Sequence, residues 1–161
     1  MLVGWIWRDP LAAVAKRIVA LVESPSRRTW TIWVTIAGIL LRVSWAYLFP
    51  VNPSSDAQTY VLLARNLLEH GRFETNGTFA YWPPGYPFFL LGWLALVDNT
   101  RAAILFANLA LFATTLWLLL RLGDSVRRPA AARISCLLLA CWPSVWMGAG
   151  IAQKEQVLIP L

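Results

Sequence analysis

An acidic side chain follows the first long apolar run of the sequence, at a position where a helix is expected to begin. Asp56 comes directly after the segment 52–55, which reads Asn-Pro-Ser-Ser. Pro53 disfavours helix at the residue before it, and serine and aspartate are good helix N-caps. A helix is therefore predicted from about 57 to 70, ended by Gly71. A helix dipole favours a carboxylate in this place whatever its function, so the plain interpretation of Asp56 is an N-cap.

Other side chains nearby have the types that binding sites use. Tyr60 lies four residues after Asp56 and therefore on the same helix face. His70, the only histidine, falls at the helix end, where a favourable dipole contact is explanation enough. Arg42 lies within the first apolar run and Arg72 follows the helix. An arginine within a membrane span usually faces a bundle interior or a polar cavity, and snorkelling to the interface is the alternative.

The composition indicates a membrane protein. Of the 161 residues 58% are hydrophobic and 14% are charged, whereas a soluble domain is nearer half apolar and a quarter charged. The net charge of +6 comes from basic residues in short blocks between apolar runs, a pattern of membrane topology and not of a nucleic-acid groove. Cys136 and Cys141 lie in one apolar run and are interpreted as small buried hydrophobes, with no metal spacing and no disulfide framework.

A spanning helix needs about 20 mostly apolar residues. Three such spans are predicted, at 30–49, 102–120 and 134–151, the third bent or ended near Pro143. A fourth apolar run has only begun at 157–161. The segment 84–97 is also apolar, but it is short and contains several prolines and glycines.

The distribution of charge decides how the segment 84–97 is interpreted. Residues 1–30 carry five Lys/Arg and residues 121–133 carry four, whereas 50–101 carries three Arg against four acids. Short cytoplasmic loops are enriched in Lys/Arg, so both basic blocks are expected inside. Segment 84–97 then lies in the outer interface, with Trp82, Tyr86 and Trp93 as interface aromatics. The alternative is a true span, which would place the four-Arg block outside.

The predicted fold class is all-α: a polytopic transmembrane helical bundle with juxtamembrane helices in a large first outer loop. The localisation is the cytoplasmic (inner) membrane, multi-pass, with the N-terminus inside and no cleavable signal peptide. The predicted organisation is a cytoplasmic amphipathic segment at 1–29, a first span at 30–49, an extracytoplasmic loop at 50–101 with juxtamembrane helices at about 57–70 and 84–97, a second span at 102–120, a cytoplasmic loop at 121–133, a third span at 134–151, an extracytoplasmic segment at 152–156 and the start of a fourth span at 157–161.

A set of short motifs occurs in a definite order from about Leu41 onward. They are Asp56-x-x-x-Tyr60-x-x-x-Ala64-x-Asn66-Leu67, then Gly71-Arg72-Phe73, then Trp82-Pro83-Pro84-Gly85-Tyr86-Pro87, flanked by Arg42 before and by Pro143 and Glu155 after. This order resembles the outer loop of polyprenyl-phosphate-sugar-dependent membrane glycosyltransferases with the C-type fold, in glycosyltransferase family 39 and its bacterial relatives. The resemblance implies the N-terminal part of a C-type glycosyltransferase fold.

The resemblance also implies a reaction and roles for five residues. The enzyme would take a sugar from a polyprenyl-phosphate donor and transfer it, with inversion, to a lipid, glycan or protein acceptor on the outer face. Asp56 would be the general base, and Arg42, Tyr60, Arg72 and Glu155 would bind substrate. In some members a second outer acid helps bind a divalent metal, which leaves metal dependence open, although two acids are too few to define a closed metal site. Membrane lipids are the other expected partners, and nucleic acid is not one.

Two departures from the family pattern limit this interpretation. Many relatives have Arg before Pro-Pro where this chain has Trp82, and family members are several times longer. The chain is therefore expected to be a truncated part that is inactive alone. The alternatives are a small transporter or transporter subunit, which predicts polar residues along the spans, and a membrane scaffold. Asn108, Thr114 and Thr115 give the transporter only thin support.

Overall fold

The structure is a computed structural model and describes residues 8–75, 78–79 and 82–152. Within these ranges most residues are helical, so the prediction of a helical chain is confirmed in this coarse form. The elements are α1 (Arg8–Glu23), α2 (Arg27–Leu48), α3 (Asp56–His70), β1 (Glu74–Thr75), β2 (Thr78–Phe79), α4 (Gly85–Leu96), α5 (Thr100–Ser125), α6 (Pro129–Cys141), α7 (Pro143–Met147) and a 3₁₀ turn (Gly148–Gly150).

Residues of the expected types begin and end these helices. The hydroxyl of Ser26 accepts from the backbone N–H of Thr29 at the start of α2, and the Asn99 side chain accepts from Ala102 N–H at the start of α5. These bonds satisfy backbone donors that the first turn of a helix leaves unpaired. Gly71 follows α3 with a left-handed φ of 68°, which a glycine adopts without a steric penalty.

Two helices in the described part of the chain are long and apolar enough to cross a membrane, α2 with 22 residues and α5 with 26. The pair formed by α6 and the segment 143–150 passes the same test only as a unit, and it is bent by 52°. The bend expected near Pro143 in the segment 134–151 is thus present, because Trp142 takes an extended backbone conformation and Pro143 follows it. Helix α4 has 12 residues, a length of about 18 Å, which falls short of the roughly 30 Å hydrocarbon core.

The helices pack into two clusters of buried residues. The first cluster joins α3, α4 and the first half of α5, and the second joins α2, the second half of α5 and α6. Tyr86, predicted as an interface aromatic, is instead only 2% exposed in the first cluster, whereas Trp82 and Trp93 pack against that cluster half-buried. Trp82 thereby joins the segment directly before α4 to a packed core.

Basic side chains gather where α2 begins, α5 ends and α6 begins. Arg27 pairs with Asp124 at 2.7 Å and so links the start of α2 to the end of α5. Arg133 donates to the carbonyls of Val22 (2.8 Å) and Pro25 (3.1 Å), which fixes the α1–α2 connection to α6. All of these contacts lie at one end of the helices, which is the end predicted to face the cytoplasm.

The two cysteines differ in their surroundings. Both are free thiols; Cys136 is buried between α5 and α6, and its thiol contacts the Leu116 carbonyl at 3.8 Å. Cys141 is exposed, so the prediction of a buried residue was wrong at this position. It is the last residue of α6, directly before the extended Trp142.

Candidate functional site

Asp56 is the first residue of α3 and its carboxylate is exposed. The Ser55 hydroxyl contacts that carboxylate at 3.4 Å, and Ser55 makes no side-chain cap to the helix. Ser55 itself has φ 51° and ψ −127°, a backbone region that L residues other than glycine adopt only with strain. Residues held in this way cluster at functional sites. The chain therefore presents one carboxylate to solvent from a strained turn, at the positive end of a helix dipole.

One turn further along α3, Tyr60 enters an aromatic group. Tyr60 is 1% exposed, and its ring centroid lies 5.8 Å from that of Trp82 and 5.9 Å from that of Tyr86, both edge-to-face. Edge-to-face pairs at these distances are the favoured geometry of aromatic rings. The motif residues Tyr60, Trp82 and Tyr86 thus meet in space, although Tyr60 and Tyr86 are 26 positions apart in the sequence.

The proline-rich segment gives α4 its start. Pro84 is the N-cap residue of α4, and its carbonyl accepts from Phe88 N–H at 3.0 Å. Phe88 in turn stacks on Phe73, with ring centroids 5.8 Å apart, which ties the start of α4 to the segment that follows α3. The Pro-Pro-Gly-Tyr-Pro motif therefore sets a backbone path and buries Tyr86, and it supplies no charged group to a site.

Tyr86 connects this region to the centre of α5. Its hydroxyl donates to the Asn108 side-chain oxygen at 3.3 Å, and burial raises the pKa of the Tyr86 phenol far enough that it stays protonated. The Asn108 amide donates to the carbonyls of Ala149 (2.8 Å) and Ile151 (3.0 Å). Asn108 thus joins α4, α5 and the irregular backbone after α7. In the sequence, Asn108 gave only thin support for the transporter alternative. Its hydrogen bonds to other parts of the chain explain why a polar residue lies in this apolar helix.

Arg42 satisfies the broken end of α6. In an unbroken helix the Leu139 carbonyl would accept from the N–H of residue 143, which as proline has none. The Arg42 guanidinium donates instead to the carbonyls of Leu139 (3.3 Å) and Ala140 (3.3 Å), and also to Gly38 (3.0 Å). At 1% exposure it points into the bundle and not outward, so these contacts explain its position without a substrate. Its substrate-binding role stays a prediction.

Phe112 and Gly38 complete the surroundings of Arg42. The guanidinium carbon lies 3.6 Å from the centroid of the Phe112 ring, a cation–π contact. A Cβ on Gly38 would lie 2.4 Å from the same ring, so only glycine leaves room for it. Gly38, Phe112 and Arg42 therefore pack closely together between α2, α5 and α6.

The predicted site residues are not brought together as one group. Arg72 is exposed and pairs with Glu74 at 3.7 Å, and it follows the end of α3 opposite to Asp56, a helix length of about 22 Å away. None of the contacts of Arg42 among the described residues involves the segment 50–101. Glu155 lies outside the described residues. Asp56 and Tyr60 therefore form the local part of the candidate site.

The described residues offer little support for a metal site or for a transport pathway. They contain no group of three or more His, Cys, Asp or Glu side chains that could hold a metal ion. Thr114 and Thr115 donate back to carbonyls of their own helix at 2.8 Å each, so neither is directed along a pathway by a partner on another helix. No protein-family model, curated protein or solved structure matches the chain.

Proposed function

We propose that the protein belongs to the enzymes that transfer a sugar from a polyprenyl-phosphate donor to a lipid, glycan or protein acceptor on the outer face of the cytoplasmic membrane. Asp56 acts as the general base. It removes the proton of the acceptor nucleophile as that atom attacks the anomeric carbon, the bond from this carbon to the lipid phosphate breaks, and the configuration inverts. The single observation that carries the proposal is the exposed Asp56 carboxylate on the strained turn at Ser55.

The surroundings of Asp56 suit a base that must meet a large substrate. Among the described residues, its hydrogen-bond contact is with the weakly placed Ser55 hydroxyl, and no cation pairs with it. A carboxylate that a structural ion pair does not engage remains available to accept a proton. One turn further along α3, Tyr60 packs against Trp82 and Tyr86, and these contacts hold the first part of the helix that carries Asp56, as a positioned base requires.

The leaving phosphate needs positive charge nearby, and Arg42 and Arg72 are the predicted binding residues that carry a positive charge. Developing charge on a leaving group is stabilised by cations placed in advance. Arg72 is exposed and its pairing with Glu74 at 3.7 Å is loose, but it lies about 22 Å along α3 from Asp56, too far to stabilise a phosphate that leaves the carbon attacked beside Asp56. Arg42, whose donors are engaged by α6 carbonyls, fits the role of holding the bent span against α2.

The proposed topology has the N-terminus inside and α4 on the outer side without crossing. Two observations support it. Basic side chains collect at the ends of α2, α5 and α6 that this topology places inside. In addition, α4 is about 18 Å long, and it packs on α3 and α5 in a cluster that includes the helix carrying Asp56.

The test is sugar transfer by the protein expressed from its natural reading frame and reconstituted in proteoliposomes with polyprenyl-phosphate-sugar donors. Asp56→Asn keeps the size of the side chain and removes the base, so the transfer rate is expected to fall at least about 100-fold. The matched control is Asp98→Asn, an exposed acid of the same segment that flanks α5. The control should transfer at the wild-type rate. Turnover by Asp56→Asn at the rate of the control would exclude Asp56 as the base.

A further inference from the structure

A cavity lies between the end of α2 and the beginning of α5, and Asp56 does not line it. Its volume is 430 Å³, within the range of small-molecule sites. The walls are the last turns of α2, the connecting residues 50–51, the first turns of α5 and the bend after α7. Among the described residues, none of those predicted as site residues lines it.

A cation from the first turn of α5 faces this cavity. Arg101 lines it together with Asn99, and it is absent from the ion pairs among the described residues. Its guanidinium donates to the side-chain oxygen of Asn52 at 2.5 Å. The amide is neutral, so it orients the guanidinium and leaves its charge uncompensated. A planar guanidinium held in this way is suited to bind a phosphate through paired hydrogen bonds.

The other walls are aromatic and apolar. Trp45, Tyr47 and Phe49 line the cavity, and the Trp45 ring is fixed by Phe49 (centroids 4.1 Å apart) and by Trp146 (4.9 Å). Tyr47 is 85% exposed and Phe49 53%, so the mouth of the cavity continues into an exposed aromatic surface. Aromatic residues at the end of a membrane-length helix are typical of the level of lipid head groups.

We propose that this cavity binds a phosphate-bearing lipid of the bilayer. The phosphate binds Arg101, and the first part of the hydrocarbon chain lies against Trp45, Phe49 and Met147. Charge and position select this ligand: a free anion would leave the aromatic wall uncovered, and an uncharged lipid would leave the Arg101 charge unpaired. The site does not include Asp56, so lipid binding here and sugar transfer at Asp56 succeed or fail separately.

The test uses photoactivatable lipids and the full chain in neutral detergent. Phosphatidic acid is compared with diacylglycerol, which differs only in lacking the phosphate, and polyprenyl phosphate is compared with polyprenol. Labelled peptides are mapped by mass spectrometry. Labelling by a phosphorylated lipid is expected at 43–51 and 99–105, and Arg101→Gln should lower it roughly tenfold, the loss expected for hydrogen bonds to a charged group. The better-labelling pair identifies the source of the phosphate.

The control for the charge change is Arg121→Gln, an exposed arginine at the other end of the same helix, placed over the Trp117 ring. It should leave labelling unchanged. A second variant, Ala102→Phe, keeps Arg101 and fills the cavity, and it should lower labelling as well. Equal labelling of wild type and both cavity variants, labelling mapped to other segments, or full displacement by inorganic phosphate alone would each overturn the proposal.

Discussion

Ser55 has a positive φ, as does Arg127, in a conformation that residues other than glycine rarely adopt. Its side chain caps nothing, and its φ of 51° with ψ −127° is a conformation that glycine adopts freely. Strain of this kind costs about 1–3 kcal/mol and persists only where the surroundings enforce it. Its neighbour is the exposed Asp56, so the strain fixes the direction in which the carboxylate leaves the helix.

Ser55→Gly is therefore expected to stabilise the protein. Relief of the strain should raise the free energy of unfolding by about 1 kcal/mol, because the entropy that glycine adds to the unfolded chain offsets part of the gain. Thermal unfolding in detergent measures the change. Ser54→Gly is the matched control, since Ser54 has no positive φ, and it should be neutral or destabilising. A Ser55→Gly protein no more stable than the control would contradict the strain.

At this scale the sequence indicates residue types better than partners. The turn formers before Asp56 and the glycine after α3 are local signals, and the observed helix bounds lie within a residue of the expected ones. The partners of Arg42 are 97 and 98 residues away, so no local pattern could reveal them. The paired strands β1 and β2, by contrast, had a local signal, because Asn76-Gly77 is the strongest short hairpin pattern in a sequence.

At the scale of the elements, the break between α6 and α7 requires side chains from other helices to bond its backbone carbonyls. A proline within an apolar run leaves a carbonyl without its donor, and in a membrane an unpaired carbonyl is costly. Arg42 and Asn108 supply donors to the carbonyls before and after α7, from two different helices. The break is thereby surrounded by two polar side chains, Arg42 and Asn108. From the sequence alone, polar residues in apolar helices would instead suggest a transport pathway.

The dependence of Arg42 on Pro143 can be measured by a double-mutant cycle. Arg42→Met removes the donors and should lower the free energy of unfolding by roughly 1–3 kcal/mol, since it leaves buried carbonyls unpaired. Pro143→Ala restores an N–H for the Leu139 carbonyl, so the same change should cost at least about 0.5 kcal/mol less in that background. Reversible unfolding in mixed micelles gives all four values. In a Pro129→Ala background, at the other end of α6, the cost should be unchanged; equal costs in all three backgrounds would separate Arg42 from the break.

The close approach of α5 and α6 depends on Gly123. A Cβ there would lie 2.3 Å from the Cβ of Ala132 and 3.3 Å from the Arg128 carbonyl oxygen. Gly123→Ala should therefore destabilise the protein by about 1–3 kcal/mol through overpacking. Gly92→Ala is the matched control, because nothing lies within 4 Å of that position on α4. The control should be stabilised by about 0.5–1 kcal/mol from helix propensity, so the two melting temperatures should move in opposite directions.

For the whole molecule, composition and charge predict the membrane-length helices, because apolar length is a property of the sequence itself. The sequence also predicts the bend of the third apolar segment, because Pro143 is a local signal. Composition and charge do not predict that Tyr86 is buried or which side chains surround the bend, because both depend on what packs against them. The separation of Arg72 from Asp56 follows from the length of α3. The coarse fold is thus accessible from the sequence, and the assembly of a site is not.

Whether α4 crosses the membrane decides the topology of the whole molecule. Cysteine labelling at two exposed positions, one before α4 and one after it, tests this directly. Gln58 precedes α4 and Asp98 follows it, both exposed. In a background with Cys136→Ala and Cys141→Ala, single cysteines at these positions should both react with an impermeant maleimide added to intact cells, because a helix of about 18 Å does not cross. Ser125→Cys, at the end of α5, should react only after the membrane is permeabilised, since the arginines around it are retained inside. Reaction of the Gln58 and Asp98 variants from opposite sides would make α4 a span, and it would then place Ser125 and its basic neighbours on the same side as Asp56.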